Sequence, residues 1–365
     1  MKEKMQINLI KGIGISLMVL GHCGFPFTNY IYLFHMAIFF IASGYCFNHK
    51  YSDNFDGIKT IIKKRLKSLY LPYVLLNILF LILLNPFVKL NIYSNNPKFL
   101  ATPQGAQFGL INYLSITDFV RQFIKILLFN GNTQLCGATW FLRVLFIITI
   151  MYYSISYIIK HFTQKYHNLI QICISIIFLA IGYYLSHKNI YLFSSINISL
   201  STYILFVIGT VIRSTDKLQF TKHNYIFALT SFLLLIPLTK LGSISLVENE
   251  YTNPLFLLTC SILGWVLLWS ISNILINHFK SLVALIIYIG KNTLSILFLH
   301  FLSFKFVTLI QIIIYKEPTY RLASFPILYP NKIWWIAYFV VGISLPLLIN
   351  KLYTISKKAL KISGI

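Results

Sequence analysis

Apolar residues fill this chain in long stretches broken by short polar interruptions, and almost nowhere do they alternate with polar residues at period two. Runs near twenty residues have the length of a helix that crosses the ~30 Å hydrocarbon core of a bilayer. Only helices and closed barrels satisfy their backbone in lipid, and a barrel needs the alternation that is missing. The pattern predicts an all-α, polytopic membrane protein of about ten transmembrane helices. They fall near 7–24, 30–47, 69–88, 138–159, 169–186, 197–212, 225–239, 254–277, 293–314 and 333–350. Met1-Lys-Glu-Lys-Met-Gln passes into the first stretch with no small-residue cleavage site, so that stretch reads as a span and not as a removable signal. No soluble domain, low-complexity region or repeat stands out, and 1–365 reads as a single membrane-embedded domain.

The polar interruptions add detail. The longest, 89–137, contains an amphipathic stretch from Asp118 to Phe129 expected to lie at the membrane interface. The segment 48–68 reads as a loop ending in Lys63-Lys-Arg-Leu-Lys, with Pro72 opening the third span, where a missing N–H is tolerated. Residues 281–291 are too few to span and predict a surface helix broken at Gly290, with Asn292 or Thr293 capping the ninth span. Ser43-Gly44-Tyr45 suits a close helix approach.

Composition agrees with the pattern: of 365 residues, 57% are hydrophobic and 11% charged, and the mean hydropathy is +0.74. A formal charge of +23 suggests nucleic acid only while its location is ignored. With the N-terminus in the cytoplasm, twenty of the 31 basic residues fall in cytoplasmic segments and nine in outer ones, while Arg143 and Lys305 stay inside spans. That excess follows the positive-inside rule, with both termini cytoplasmic and the bilayer, not nucleic acid, as the partner. Lys217, Lys222, Lys332, Lys2, Lys358 and Lys361 all enter this count. The five cysteines show no metal-ligand spacing and read as small core residues, with Cys136 a candidate outward thiol; no metal is expected.

The eight acids, Glu3, Asp53, Asp56, Asp118, Asp216, Glu248, Glu250 and Glu317, all read as loop residues. Chemistry within the membrane must then rest on other groups. Lys11 and His22 are three helical turns apart and share a face with Asn8. His22 falls in the outer half of the first span, and His35 enters the second at a similar depth. An imidazole there suits a general base acting on a hydroxyl. The plainer alternative is two imidazoles bonded to backbone carbonyls across a helix interface. Trp140-Phe-Leu-Arg143 opens the fourth span, with Arg143 either a site residue or a snorkelling one and Trp140 either a site residue or an interface anchor. His300 lies about 10 Å from the cytoplasmic end of the ninth span. His49, His161, His167, His187, His223 and His278 read as solvated.

The set Lys11-Gly-Ile-Gly-Ile…Val19-Leu-Gly-His22, then Phe34-His-Met-Ala-Ile-Phe-Phe-Ile-Ala-Ser-Gly-Tyr45, resembles the opening of the acyltransferase-three family of membrane acyltransferases. The likeness continues through Lys64-Arg-Leu-Lys…Pro72-Tyr73, Trp140-Phe-Leu and Gly290-Lys-Asn-Thr-Leu…Leu-His300. It implies transfer of an acyl group, usually acetyl, from cytoplasmic acyl-CoA to a hydroxyl of an extracytoplasmic glycan or lipid-linked saccharide. It further implies His22 as the catalytic histidine, with His35 and the basic loop after the second span in the site. Joined to the residue pattern, this makes Arg143 or Asn8 a candidate oxyanion stabiliser near the reaction, and Lys11, Lys63, Lys64, Arg65, Lys67 and His300 candidates to hold the donor. The family often has an acid at Asn8, an arginine at Lys11 and a second arginine at Ser68, so this chain departs there. A multi-pass protein of a bacterial inner (plasma) membrane follows, in keeping with the Ile-, Asn- and Lys-rich composition. The rival reading is a transporter or exporter of a glycan or lipid without chemistry.

Overall fold

The computed structural model describes residues 2–215, 223–330 and 333–362. Asp216, Lys217, Lys222 and Lys332 lie outside the described residues, as do the side chains of Lys2, Lys358 and Lys361. The chain is 80% helical. Its helices are α1 (Lys2–His22), α2 (Thr28–Tyr32), α3 (His35–Tyr45), α4 (Phe55–Arg65), α5 (Leu71–Ile82), α6 (Leu84–Lys89), α7 (Pro103–Phe108) and α8 (Ile116–Leu127). They continue as α9 (Trp140–Phe162), α10 (His167–His187), α11 (Ile196–Thr215), α12 (Asn224–Leu241), α13 (Pro254–His278), α14 (Lys280–Lys291), α15 (Thr293–Tyr315) and α16 (Trp334–Ile362). The strands β1 (Ile244–Ser245) and β2 (Glu250–Tyr251) pair antiparallel between α12 and α13.

Among the described residues, eight helical stretches are long and apolar enough to cross a membrane, beginning with Phe55–Ile82 and ending with Trp334–Lys357. They correspond to the last eight of the ten expected spans, and the all-α polytopic class stands. The first two differ. α1 has 21 residues, but Lys2, Glu3, Lys4 and Lys11 dilute its apolar content. Residues 30–47 are not one helix: Phe34 leaves helical geometry at φ −144° and packs against Gly264 of α13. The 11 residues of α3 then reach about 16 Å, half the core thickness.

Several local expectations are also corrected. The basic run Lys63 to Lys67 lies on a helix and not in a loop, because α4 joins α5 through a π-turn over Leu66–Tyr70. There Leu71 N donates to Leu66 O, a wider loop that accommodates Pro72 inside the continuous helix despite its missing N–H. α14 runs through Gly290 and breaks at Asn292, whose side chain bonds Tyr288 O and Asn350 instead of capping α15. Glu3, Asp56 and Asp118 occupy first helical turns, where the helix dipole favours them, and Glu250 lies in β2. His167 and Trp140 are buried, the first therefore not solvated and the second no interface anchor. Cys136 is buried, whereas Cys46 and Cys173 are exposed. α8 starts at a Ser115 cap and exposes Ile116, Val120, Ile124 and Leu127 along one stripe, as an interfacial helix does.

The chain divides into two compact units. The first holds Met1–Gly14, Asn29–Val74 and Trp140–Ile287. In it α11 packs on α3, α9 and α10, and α12 on α13. A Cβ on Gly44 would run into Phe206 O, and one on Gly209 into Ile41 O, so the α3 and α11 backbones touch directly. The second unit holds Ile15–Thr28, Leu75–Thr139 and Tyr288–Ile365 and is built on the α15–α16 pair.

A segment between α15 and α16, irregular apart from a 3-10 turn at Thr319–Ala323, folds back along α15, and side chains hold its backbone. Lys305 Nζ donates to Leu322 O at 3.0 Å and Ser324 O at 2.8 Å. Gln311 donates to Tyr329 O, Gln104 to Leu328 O, and Leu328 N donates to the Tyr338 hydroxyl. The buried ammonium of Lys305, unexplained by the sequence, is thereby satisfied. Phe325 then lies 4.6 Å from Phe301, ring to ring.

Gly209→Ala is expected to cost about 1–3 kcal/mol by forcing α3 and α11 apart. A thermal unfolding midpoint equal to that of the parent protein in the same detergent would contradict the backbone contact.

Candidate active site

α1 ends at His22 because the chain turns there: Cys23 N returns to Leu20 O, and Gly24 takes φ +77°. The His22 ring stacks on that of His300, with centroids 5.6 Å apart and planes inclined by 23°. Phe301 closes on both, at 5.0 Å from His22 and 3.9 Å from His300. His300 is fully buried. Its Nδ1 faces Ile296 O at 2.9 Å and Leu297 O at 3.1 Å. Carbonyls only accept, so Nδ1 carries the proton and Nε2 presents a lone pair. That Nε2 is buried without a hydrogen-bond partner.

The stack sets the level of His22 along α15. His300 is seven residues, about 10 Å, from the Thr293 end of α15 and about 22 Å from its Tyr315 end. His22 shares that level. His300, expected with the donor residues, is the ring that meets His22.

A second cluster belongs to the first unit. A cleft of about 670 Å³ is lined by Lys4, Asn8 and Lys11 on successive turns of α1, by Tyr45 to His49, and by Glu3 and Arg213. Arg213 donates to Glu3 at 2.6 Å and lies over the Tyr45 ring at 5.2 Å. The shared face of Asn8 and Lys11 is thus realised. Asn8, however, is fourteen residues from His22 along α1, about 21 Å. It lines the cleft and cannot contact the atoms that His22 contacts, which corrects its placement beside the reaction.

The expected donor cluster on α4 divides. Arg65 is half-buried and interacts with Tyr153 and with Cys46, a residue of the cleft. Lys64 is held by the Tyr51 hydroxyl and lies 4.4 Å over its ring. Lys63 and Lys67 face outward. Arg213 was not singled out by the sequence, where it counted only toward topology; a lone arginine closing an apolar run was the available signal.

His35 and Arg143 also belong to the first unit. His35 is buried, stacks on Tyr32 at 5.0 Å and places Nδ1 3.1 Å from Ile31 O. That contact is local, four residues back along the chain, and is not a bond across a helix interface. Arg143 is buried and bonds the Tyr73 hydroxyl, so it does not snorkel.

A family model described as an acyltransferase domain, acyltransferase family 3, matches residues 6–351. The chain belongs to this family and is a multi-pass membrane acyltransferase. Neither the curated proteins nor the solved structures compared with the chain include a match.

Outside the spans, His49 in the cleft titrates below its usual 6.5, because partial burial and then Lys160 and His167 disfavour its charge, against a weaker pull from Asp53. His49 is thus neutral at pH 7 and gains its charge only on acidification beyond the usual midpoint. Folding disfavours that proton, so its share of stability is full above pH ~6.5 and declines as pH falls toward the lowered midpoint. An NMR titration should place its midpoint below 6.5, moved up in Lys160→Met and further down in Asp53→Asn. No movement in either variant would contradict these causes.

Proposed function

We propose that the protein transfers an acyl group, in the first instance acetyl, from cytoplasmic acyl-CoA to a hydroxyl of a glycan or lipid-linked saccharide. The His22–His300 pair is the observation that carries this reading. Family membership supplies acyl transfer in general, and the pair supplies a base whose partner ring is held in one tautomer. In the reaction His22 takes the proton of the acceptor hydroxyl, and the oxygen attacks the thioester carbonyl. The C–S bond breaks, the ester forms, and the thiolate of CoA takes the proton back from the imidazolium. In the covalent variant of this scheme the His22 imidazole itself attacks the thioester, releases CoA and hands the acyl group to the hydroxyl. The unpartnered Nε2 of His300 is an acceptor for the hydroxyl proton that a sugar brings.

The cleft on α1 suits the donor. Lys11 and Arg213 present point and forked cationic contacts to the phosphates of CoA, with Arg65 behind them and His49 at the rim. Tyr45 offers an aromatic face in the same lining. The reading places the protein in the inner membrane of a bacterium, where acyl-CoA is confined to one side.

His22→Ala is expected to lower transfer about 10²–10⁴-fold in purified protein that still binds acyl-CoA. Near-parental turnover in this variant would end the assignment. Radiolabel from the acyl group retained on wild-type protein and lost in His22→Ala selects the covalent route. The acceptor is identified by comparing surface glycans of a parent and a deletion strain.

Replacing Lys11, Arg65 and Arg213 together by Gln should weaken acyl-CoA binding more than replacing Lys63 and Lys67. Wild-type affinity should fall as salt screens the phosphates. Equal losses in the two variants would locate the donor away from the cleft.

A further inference from the structure

The second unit carries a groove of about 1060 Å³ on the α15–α16 pair, and its lining includes none of His22, His300 and Phe301. Phe306, Val341 and Leu348 form its apolar length, and Phe306 and Leu348 are exposed. Tyr288 and Lys351 stand at one end, beside an Asn350–Asn292 hydrogen bond of 2.7 Å that fixes that end to the start of α15. Val341 and Lys351 are ten residues apart on α16, about 15 Å, which is the depth of one leaflet.

The charges are one-sided. No aspartate or glutamate occurs in 280–316 or in 318–365, whereas Lys291, Lys351 and Lys357 all lie at this end. Among the described residues no carboxylate meets Lys351. An apolar channel one leaflet deep, with a cation and a phenol at its mouth, complements an acyl chain ending in a phosphate. It does not complement a peptide, for which it offers no row of hydrogen-bonding partners. These lysines are also among those that the positive-inside rule puts in the cytoplasm, the side where anionic headgroups attract basic residues.

We propose that this groove binds one anionic glycerophospholipid of the cytoplasmic leaflet. Its phosphate is held by Lys351 with the Tyr288 hydroxyl, and one acyl chain lies along Val341, Leu348 and Phe306. The site is independent of the acyl-transfer reading and stands or falls on lipid binding alone.

The experiment uses the full chain in detergent, with phosphatidylglycerol, phosphatidylcholine and glycerol 3-phosphate as probes. Retained lipid is read by native mass spectrometry and the unfolding midpoint by fluorescence. Wild-type protein should retain phosphatidylglycerol in preference to phosphatidylcholine, and its midpoint should rise with the first only. Lys351→Gln should lower retention about fivefold, the effect of one basic residue near an anionic headgroup. Leu348→Trp, which fills the channel and keeps the charge, should lower it as well, while Lys316→Gln at the other end of α15 should not. Equal retention of the two lipids, unchanged retention in Lys351→Gln or Leu348→Trp, or an equal midpoint shift with glycerol 3-phosphate would each overturn the proposal.

Discussion

Every backbone polar group that leaves a helix at membrane depth needs a partner, since no water is at hand to supply one. The segment after α15, partly buried between two candidate spans, meets the same requirement. Its carbonyls are met by Lys305, Gln311 and Gln104, and its Leu328 N–H by Tyr338. Because these side chains over-determine the segment, Phe325 is fixed against Phe301, and Phe301 against the two histidine rings. A buried lysine that looks costly in isolation is thus part of what holds the aromatic floor of the His22 cluster.

α1 serves two ends with one helix. Its first turns present Lys4, Asn8 and Lys11 to a basic cleft, and its last residue is His22. A rigid helix keeps the spacing of these groups constant, which a loop could not. Hydrogen bonds from Gln6 to Asn273, and from Asn273 to Asn224, tie the first turns of α1 into the first unit. The same helix therefore carries both the cleft-lining groups and His22.

Much of this was legible in the sequence. Six of the expected spans match their helices to within a few residues; the third helix begins well before and ends before its expected bounds, and the last runs on to Lys357. Lipid makes these spans legible, because it selects for apolar runs of fixed length irrespective of what they pack against. The Ser43-Gly44-Tyr45 approach was also legible, because only a residue without a Cβ lets α3 and α11 touch. The break at Phe34 was not. Leu33 and Phe34 are as apolar as their neighbours, and the reason to leave the helix is Gly264, 230 positions away in the chain. The π-turn before Pro72 was hidden for a similar reason, since a proline announces a disturbance and not how the backbone absorbs it.

By itself the sequence determined the class, the spans and the residues with unusual chemistry, because each of these follows from composition and local spacing. Tertiary structure decided the pairings: His22 with His300, Arg143 with Tyr73, Lys305 with two carbonyls, and Arg213 with the face of Lys11. Each pairing joins positions far apart in the chain, so it depends on which helices are neighbours. In an apolar chain of this kind nearly every helix face is apolar enough to pack on nearly any other. Hydropathy then carries no information about neighbours, and the choice falls to close glycine contacts and to the few buried polar groups that must each find a partner.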